Sequence, residues 1–390
     1  MQYNLRMPKN VAFGWGRRNE LGDHIAVLGR RAFVVTGSRS LRRSGVIEEL
    51  LTTIREAGVE VVEAGEITTE PTIEDVDRLA AAVRESDPNP SGDVVVGIGG
   101  GAALDMAKAL AARATNHAGG SVRDYLEGVG CGRTLSEPPL PVVAMPTTAG
   151  TGSEATKNAV LSCADPPCKK SLRADELVPA AVVIDPELTV TCPASVTAAS
   201  GMDAITQLIE SAISCRAQPF TRALCRETIP PAIEALPRAY RDPSDREARE
   251  TMAHAAFVSG IALANSGLGV AHGVAAALGA ICDVPHGLAC AAMLPIALAA
   301  NREVCEAEYA ALGLRLGISV TESDAERADG FVEQVCELGR ALGIPERLRD
   351  LGVRSDQLSA LAHGARGNSL RGNPRALEET DVLALLETAW

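Results

Sequence analysis

The sequence predicts an α/β domain built on a parallel sheet, followed by an all-helical domain. Three observations carry that reading. Short β-branched runs alternate with segments of helical period through the first half of the chain. From Pro193 onward the sequence is Ala-rich and helical in period, with no convincing strand pattern. The length, 390 residues, is that of two or three domains. The boundary falls near Asp185–Pro193, which makes 1–190 and 191–390 the two domains.

The elements follow in order. Arg31–Thr36 (RAFVVT) reads as a buried first strand ending in the turn Gly37-Ser38. Ser44–Ala57 reads as a helix stopped by Gly58, and Val59–Glu63 as a second strand. Ile73–Ser86 is helical and runs into the loop Asp87–Gly92. Asp93–Ile98 (DVVVGI) is apolar enough to be buried on both faces, and a glycine run and a helix from Ala102 to about Ala114 follow it. Pro141–Met145 and Ala180–Ile184 are further short apolar strands. Such alternation pairs strands in parallel and covers both sheet faces with helices. In the second half, helix breaks are expected at Pro230, Pro243, Gly267, Pro285, Pro295, Gly343 and Pro374. No internal repeat and no low-complexity segment interrupts the pattern.

Composition narrows the function classes. Hydrophobic residues make up 46% of the chain and aromatics only 3%, so the cores are built of Ala, Val, Leu and Ile. The net charge of −13 excludes the broad basic face of a nucleic-acid protein. The ten cysteines include no CxxC pair, and a chain of this length needs no disulfide staples, so they read as small buried hydrophobes. The N-terminal MQYNLRMPKNVAFG has no apolar signal core, and no apolar run reaches the roughly 18 residues of a membrane span. A cytoplasmic protein without a membrane or nucleic-acid partner is expected.

Two loops carry chemistry. Gly97-Ile98-Gly99-Gly100-Gly101-Ala102 follows a strand and opens a helix. Consecutive glycines let backbone N–H groups approach an anion, and a helix N-terminus adds about half a positive charge. A pyrophosphate is the natural ligand; a turn serving tight packing alone is the alternative. Asp105 and Lys108 sit on the first turns of this helix, either on the cofactor side or as a solvated ion pair. NAD-specific sites usually place a carboxylate near a strand end, on the ribose 2′-hydroxyl. Here Thr36-Gly37-Ser38-Arg39 carries no acid, and Arg42 and Arg43 stand close behind. That composition suits a 2′-phosphate, the alternative being a solvated helix start. The second loop, Pro146–Glu154 (PTTAGTGSE), follows the strand PVVAM and combines three threonine hydroxyls with flexible glycines and a helix start. Its hydroxyl and backbone donors suit a phosphate or the nicotinamide ribose.

Together these loops resemble the iron-containing (group III) alcohol dehydrogenase family. The resemblance continues through Asp185-Pro186-Glu187-Leu188, Gly201-Met202-Asp203-Ala204, Gly269–Gly273, Pro285-His286-Gly287 and Asn368–Pro374, so it covers nearly the whole chain in order. It implies a Rossmann-like nucleotide-binding domain, a helical domain, and an active site in the cleft between. It also implies hydride transfer between NAD(P)H and a small aldehyde or ketone, assisted by a divalent metal, in a homodimer or larger homo-oligomer. Carried over by position, Gly99, Gly100 and Gly101 correspond to the pyrophosphate turn, Thr147, Thr148 and Thr151 to further cofactor contacts, and Lys170 to a lysine at the cofactor ribose. Gly37, Ser38 and Arg39 fall where the family often carries an acid, and its absence here argues against strict NAD preference.

The resemblance also implies one metal held by an Asp and three His. Asp203, His272 and His286 fall on three of those positions and serve as catalytic residues, while the fourth position, four after the Asp, is Gln207. Asp203 and Gln207 share a helix face. An amide oxygen is a harder and weaker donor than imidazole, so a Gln ligand would lower affinity for Fe²⁺ or Zn²⁺ and flatten selectivity toward Mn²⁺ or Mg²⁺. Two readings stay open: metal retained on Asp203, His272 and His286, with or without Gln207 as a ligand, or a metal-free carbonyl reductase of the same fold. A third is a catalytically inactive nucleotide-binding protein. Family members often carry another His four after position 272, where this chain has Ala276; His254 and His363 have no motif to recommend them as replacements.

Overall fold

A computed structural model describes residues 2–165, 167–319 and 321–390. The chain forms two compact units, Arg6–Cys192 and Pro193–Trp390, the latter taking in residues 2–5.

Among the described residues the first unit has strands β1 (Asn10–Phe13), β2 (Arg31–Thr36), β3 (Glu60–Glu66), β4 (Asp93–Gly99), β5 (Val142–Pro146), β6 (Asn158–Ala164), β7 (Pro167–Arg173) and β8 (Ala181–Ile184). Its helices are α1 (Leu21–Ala26), α2 (Arg39–Arg43), α3 (Val46–Glu56), α4 (Ile73–Arg84) and α5 (Gly101–Thr115). Six strands form one parallel sheet in the order β1-β8-β5-β4-β2-β3, and β6 and β7 form a separate antiparallel hairpin. Successive strand residues point to opposite faces, so β2 and β4 feed two cores. Phe33, Val35 and Val95 pack with Val76 and Leu79 of α4 and Met106 and Leu110 of α5. Ala32, Val34, Val94, Val96 and Ile98 pack with Ile25 of α1 and Ile47, Leu51 and Ile54 of α3. Burial on both faces is why these strands read as unbroken apolar runs.

The chain runs from β2 outward to β3, then returns to the other side of β2 as β4, so strand order reverses between β2 and β4. In open parallel sheets, ligands bind past the C-terminal strand ends at such a reversal. Gly37 and Gly99–Gly101 lie there.

Three strands lie outside the sequence expectation. Arg31–Thr36 is preceded in the chain by β1, a four-residue strand at the far edge of the sheet, where among the described residues it pairs only with β8. On β6 the outward positions Asn158, Val160, Ser162 and Ala164 mix polar and apolar residues, and β7 carries the polar run Lys169-Lys170-Ser171, which hides the inward set Ala159, Leu161 and Cys163. The Asp185–Leu188 motif also gains a structural role. The Asp185 side chain is wholly buried and accepts from the backbone N–H groups of Gly16, Arg18 and Glu187 at 3.0, 3.1 and 3.1 Å. It thereby locks the chain leaving β1 to the chain leaving β8.

The second unit contains α6 (Ala194–Ile213), α7 (Pro219–Arg241), α8 (Arg246–Ser266), α9 (Val270–Cys282), α10 (His286–Asn301), α11 (Glu306–Arg315), α12 (Asp324–Ala341), α13 (Leu358–Gly364) and α14 (Glu379–Ala389), with no strand among the described residues. Pro243, Gly267, Pro285, Gly343 and Pro374 fall between helices, but Pro230 and Pro295 do not break the chain. Pro230 lies inside α7 beside buried Ile229, Ile233 and Leu236, and Pro295 inside α10 beside buried Leu294 and Leu298. Packing of these apolar faces offsets the hydrogen bond each proline removes. No single helix among the described residues is long and apolar enough to cross a membrane.

Candidate active site

The two loops singled out in the first unit adjoin. The Thr147 N–H donates to the Gly99 carbonyl at 2.9 Å. A Cβ placed on Gly101 would stand 2.7 Å from the Thr151 methyl, so only glycine lets the loop close over the start of α5. Thr148 borders Gly100 in the same way. Gly99–Gly101, Thr147, Thr148 and Thr151 therefore line one stretch of surface at the open N-terminus of α5, which has no side-chain cap. A Cβ on Gly37 would lie 2.6 Å from that of Ala103, so position 37 itself has no room for a side chain. Ser38 caps α2, accepting from the Leu41 N–H, and exposed Arg39 donates to Thr68 at 2.9 Å. Arg42 is ion-paired with Glu48, Glu63 and Glu66, so its charge is already balanced. Lys170 lies half-buried on β7, opposite Leu161.

Asp105 and Lys108 are not a solvated pair. Lys108 is fully buried; its Nζ lies 3.1 Å from Asp105 and donates to the Ser153 carbonyl, the Thr156 hydroxyl and the Asn158 carbonyl. Asp105 also accepts from the Ser153 hydroxyl at 2.5 Å and the Val160 N–H at 3.1 Å. The alanines around this helix turn leave the ammonium no route to water, so it bonds the loop instead. Burial pulls Lys108 below the usual lysine value, against the opposing pull of Asp105. Burial likewise pushes neighbouring Glu154 up to about 7. A carboxyl that holds its proton more tightly when folded stabilises the fold below the unfolded value of 4.5, and that contribution is lost as pH rises to about 7. Glu154→Gln is expected to flatten stability between these pH values, a difference of about 3 kcal/mol read by denaturant unfolding across pH.

In the helical unit, α6 places Asp203, Gln207 and Glu210 on one face, all buried. Near the start of α9 lies His272; Asp283, with φ 56°, then ends the helix and reverses the chain. His286 is the first residue of α10, and Gly287 beside it passes so close to α6 that a Cβ would lie 2.6 Å from the Ala199 carbonyl. One turn further along α10 is buried Cys290. Ligand atoms of Asp203, His272, His286 and Cys290 all lie within 4.8 Å of one another.

The electrostatics suit a cation. His272 Nδ1–H donates to Glu210 at 2.7 Å, which points Nε2 at the Asp203 carboxylate 3.2 Å away. Two lone pairs facing each other require a proton or a metal between them. Burial pushes His272 down, yet Cys290, Asp203 and Glu210 together hold it well above its ordinary value. Cys290 raises His286 to about 9 against burial, with help from Asp203. Burial pushes Asp203 up, but its two histidines outweigh that and keep it below the usual carboxylate range. The donor set therefore fits a divalent metal, with Glu210 orienting His272 from behind.

Gln207 meets α8 instead: its Oε1 accepts from the Ser259 hydroxyl at 2.6 Å. Ala276 is half-buried on α9, His254 is exposed on α8, and His363 is exposed beside Glu379; none belongs to the cluster. Sequence reasoning missed Cys290 and Glu210. Their signal was present as helical spacing, four residues after His286 and seven after Asp203.

Comparisons with known proteins agree with this picture. The model of the iron-containing alcohol dehydrogenase family matches residues 8–186, and that of the family's C-terminal region matches 197–390. Long-chain-alcohol dehydrogenase 1 of Geobacillus thermodenitrificans is 33% identical over 97% of this chain and 94% of its own length. The NAD-dependent methanol dehydrogenase of Bacillus methanolicus is 31% identical over 99% of both chains. The crystal structure of a 1,3-propanediol oxidoreductase superposes with a TM-score of 0.92 at 32% identity, covering 100% of both chains. Membership implies a nicotinamide dinucleotide and a divalent metal. The chain belongs to the iron-containing alcohol dehydrogenase family and is an oxidoreductase of the alcohol dehydrogenase and aldehyde reductase type.

Proposed function

We propose that this enzyme interconverts a small aldehyde or ketone and its alcohol, using NAD(P)H and a divalent metal at Asp203, His272 and His286. The observation that carries the reading is the buried cluster in which a carboxylate and two imidazoles converge with a thiol. A bound cation, Fe²⁺ or alternatively Zn²⁺ or Mn²⁺, would supply Lewis acidity toward a carbonyl oxygen, and the nicotinamide would supply hydride. The chain's own residues bind and orient. Asp203, His272 and His286 hold the metal, and Glu210 fixes the His272 tautomer. The backbone at Gly99, Gly100 and Gly101 takes the pyrophosphate, and Thr147, Thr148 and Thr151 hold the adjoining phosphate and ribose oxygens. Lys170 approaches the ribose. Asp105 acts through Ser153 and Lys108, positioning the threonine loop. The names of the relatives, which act on alcohols, support the substrate class.

The test is nicotinamide oxidation against an aldehyde panel, with protein stripped of metal and reloaded with Fe²⁺, Zn²⁺ or Mn²⁺. Turnover is expected only after reloading. Full activity without metal would make the protein a metal-free carbonyl reductase, and no turnover under any condition an inactive nucleotide-binding protein. At the adenosine end, Gly37, Ser38 and Arg39 accept NADPH as well as NADH, because no carboxylate follows β2. Arg39→Ala is expected to raise the KM for NADPH about tenfold and leave that for NADH unchanged; an equal change for both removes Arg39 from this role. We further propose a cytoplasmic homodimer or larger homo-oligomer; light scattering on the purified protein tests the assembly, and cell fractionation the compartment.

A further inference from the structure

We infer that Cys290, not Gln207, supplies the fourth ligand, so that the centre is an Asp-His-His-Cys site. This rests on the metal reading above and goes beyond it.

Cys290 follows His286 by one turn of α10, so both side chains leave the helix on one face. Its Sγ lies 3.6 Å from His286 Nε2. A tetrahedral ion bound at about 2.0–2.1 Å by nitrogen and oxygen and about 2.3 Å by sulfur sets an N–O edge of about 3.3 Å and an N–S edge of about 3.6 Å. The corresponding distances here are 3.2 Å, between His272 Nε2 and Asp203 Oδ1, and 3.6 Å, between His286 Nε2 and Cys290 Sγ. Two of the six edges thus already have the lengths of a coordination tetrahedron, and the other four atom pairs lie within 4.8 Å. Gln207 is differently engaged. Its carbonyl oxygen already accepts from Ser259 of α8 at 2.6 Å, and an amide oxygen is a weaker donor to a metal than a thiolate.

The ligand that the family resemblance places at 207 on α6 would then come from 290 on α10. As the metal–sulfur bond forms, the S–H bond breaks and its proton leaves to solvent; no electron is transferred. Asp203 and a Cys290 thiolate together match the charge of a dication, and a substrate carbonyl oxygen would enter as a fifth ligand. Sulfur favours Zn²⁺, Co²⁺ and Fe²⁺ over Mn²⁺ and Mg²⁺, the reverse of the preference a Gln ligand would give.

The test uses the full chain, stripped with a chelator and titrated with Co²⁺. Wild-type protein is expected to show the intense visible bands of a tetrahedral site together with a near-ultraviolet thiolate-to-cobalt charge-transfer band. Cys290→Ser is expected to keep the visible bands, lose the charge-transfer band and bind Zn²⁺ about 100-fold more weakly or worse. Gln207→Ala is expected to keep the charge-transfer band. Visible bands without charge transfer in the wild type, or charge transfer that persists in Cys290→Ser, would overturn the assignment while the metal reading stands. No Co²⁺ uptake at all would overturn both. Cadmium NMR of the wild type needs no variant: a resonance in the sulfur-ligated range is expected, and one in the nitrogen and oxygen range refutes the proposal.

Discussion

Asp203→Ala is expected to lose bound metal and turnover together, with kcat/KM falling on the order of 10³-fold or more. Asp203 is the only carboxylate in the four-group cluster, and its oxygen is the one His272 Nε2 faces. Removing it leaves two imidazoles and Cys290 without the carboxylate that helps to draw a cation into a buried site. His272 keeps Glu210 at 2.7 Å, so the ring stays oriented and the loss is one of binding rather than of fold. Elemental analysis and steady-state kinetics on the same preparation check this. A variant that loses turnover while keeping its metal would show that Asp203 acts otherwise than as a ligand.

The largest effect on stability is expected at Lys108. Lys108→Met keeps the length of the side chain but leaves the Asp105 carboxylate and the carbonyls of Ser153 and Asn158 without their buried donor. Breaking one partner of a buried ion pair costs about 3–5 kcal/mol. For a unit of this size that corresponds to a fall of roughly 10 °C in melting temperature. The same ammonium holds the loop that carries Thr147, Thr148 and Thr151, so nucleotide affinity should fall with stability. Calorimetry with and without NADH separates the two effects. A variant that melts lower but binds nucleotide unchanged would confine Lys108 to a packing role.

How much of this is legible in the sequence depends on what each feature needs from distant parts of the chain. The strands β2, β4, β5 and β8 are buried on both faces or nearly so, and their apolar runs announce them. The glycine turn and threonine loop are legible because backbone approach demands glycine at particular places, as at Gly101. Asp203, His272 and His286 come from the family resemblance; no local pattern marks a site whose members lie on three helices. β1 is hidden because four residues at a sheet edge carry little periodicity. Pro230 and Pro295 mislead because proline's local preference yields to packing that only the folded helices provide. Cys290 is buried as its context implies, but a thiol beside apolar residues has the same sequence context whether it packs or ligates. Only the convergence of α6, α9 and α10 separates the two.

The clamp at Asp185 has a consequence for biosynthesis. The Gly16 N–H finds the Asp185 carboxylate across 169 residues, and among the described residues β1 pairs only with β8. β1 is synthesised before the other strands of this sheet and is thus among the last of them to be ordered. Contacts of such sequence separation close slowly because chain entropy must be lost before any pairing is gained. While the nascent chain is shorter than about this span, β2 to β5 can assemble around the glycine turn with the sheet edge beside β5 still open. Completion of the nucleotide-binding unit therefore waits on the synthesis of its last strand, and the first strand acts as its closing latch.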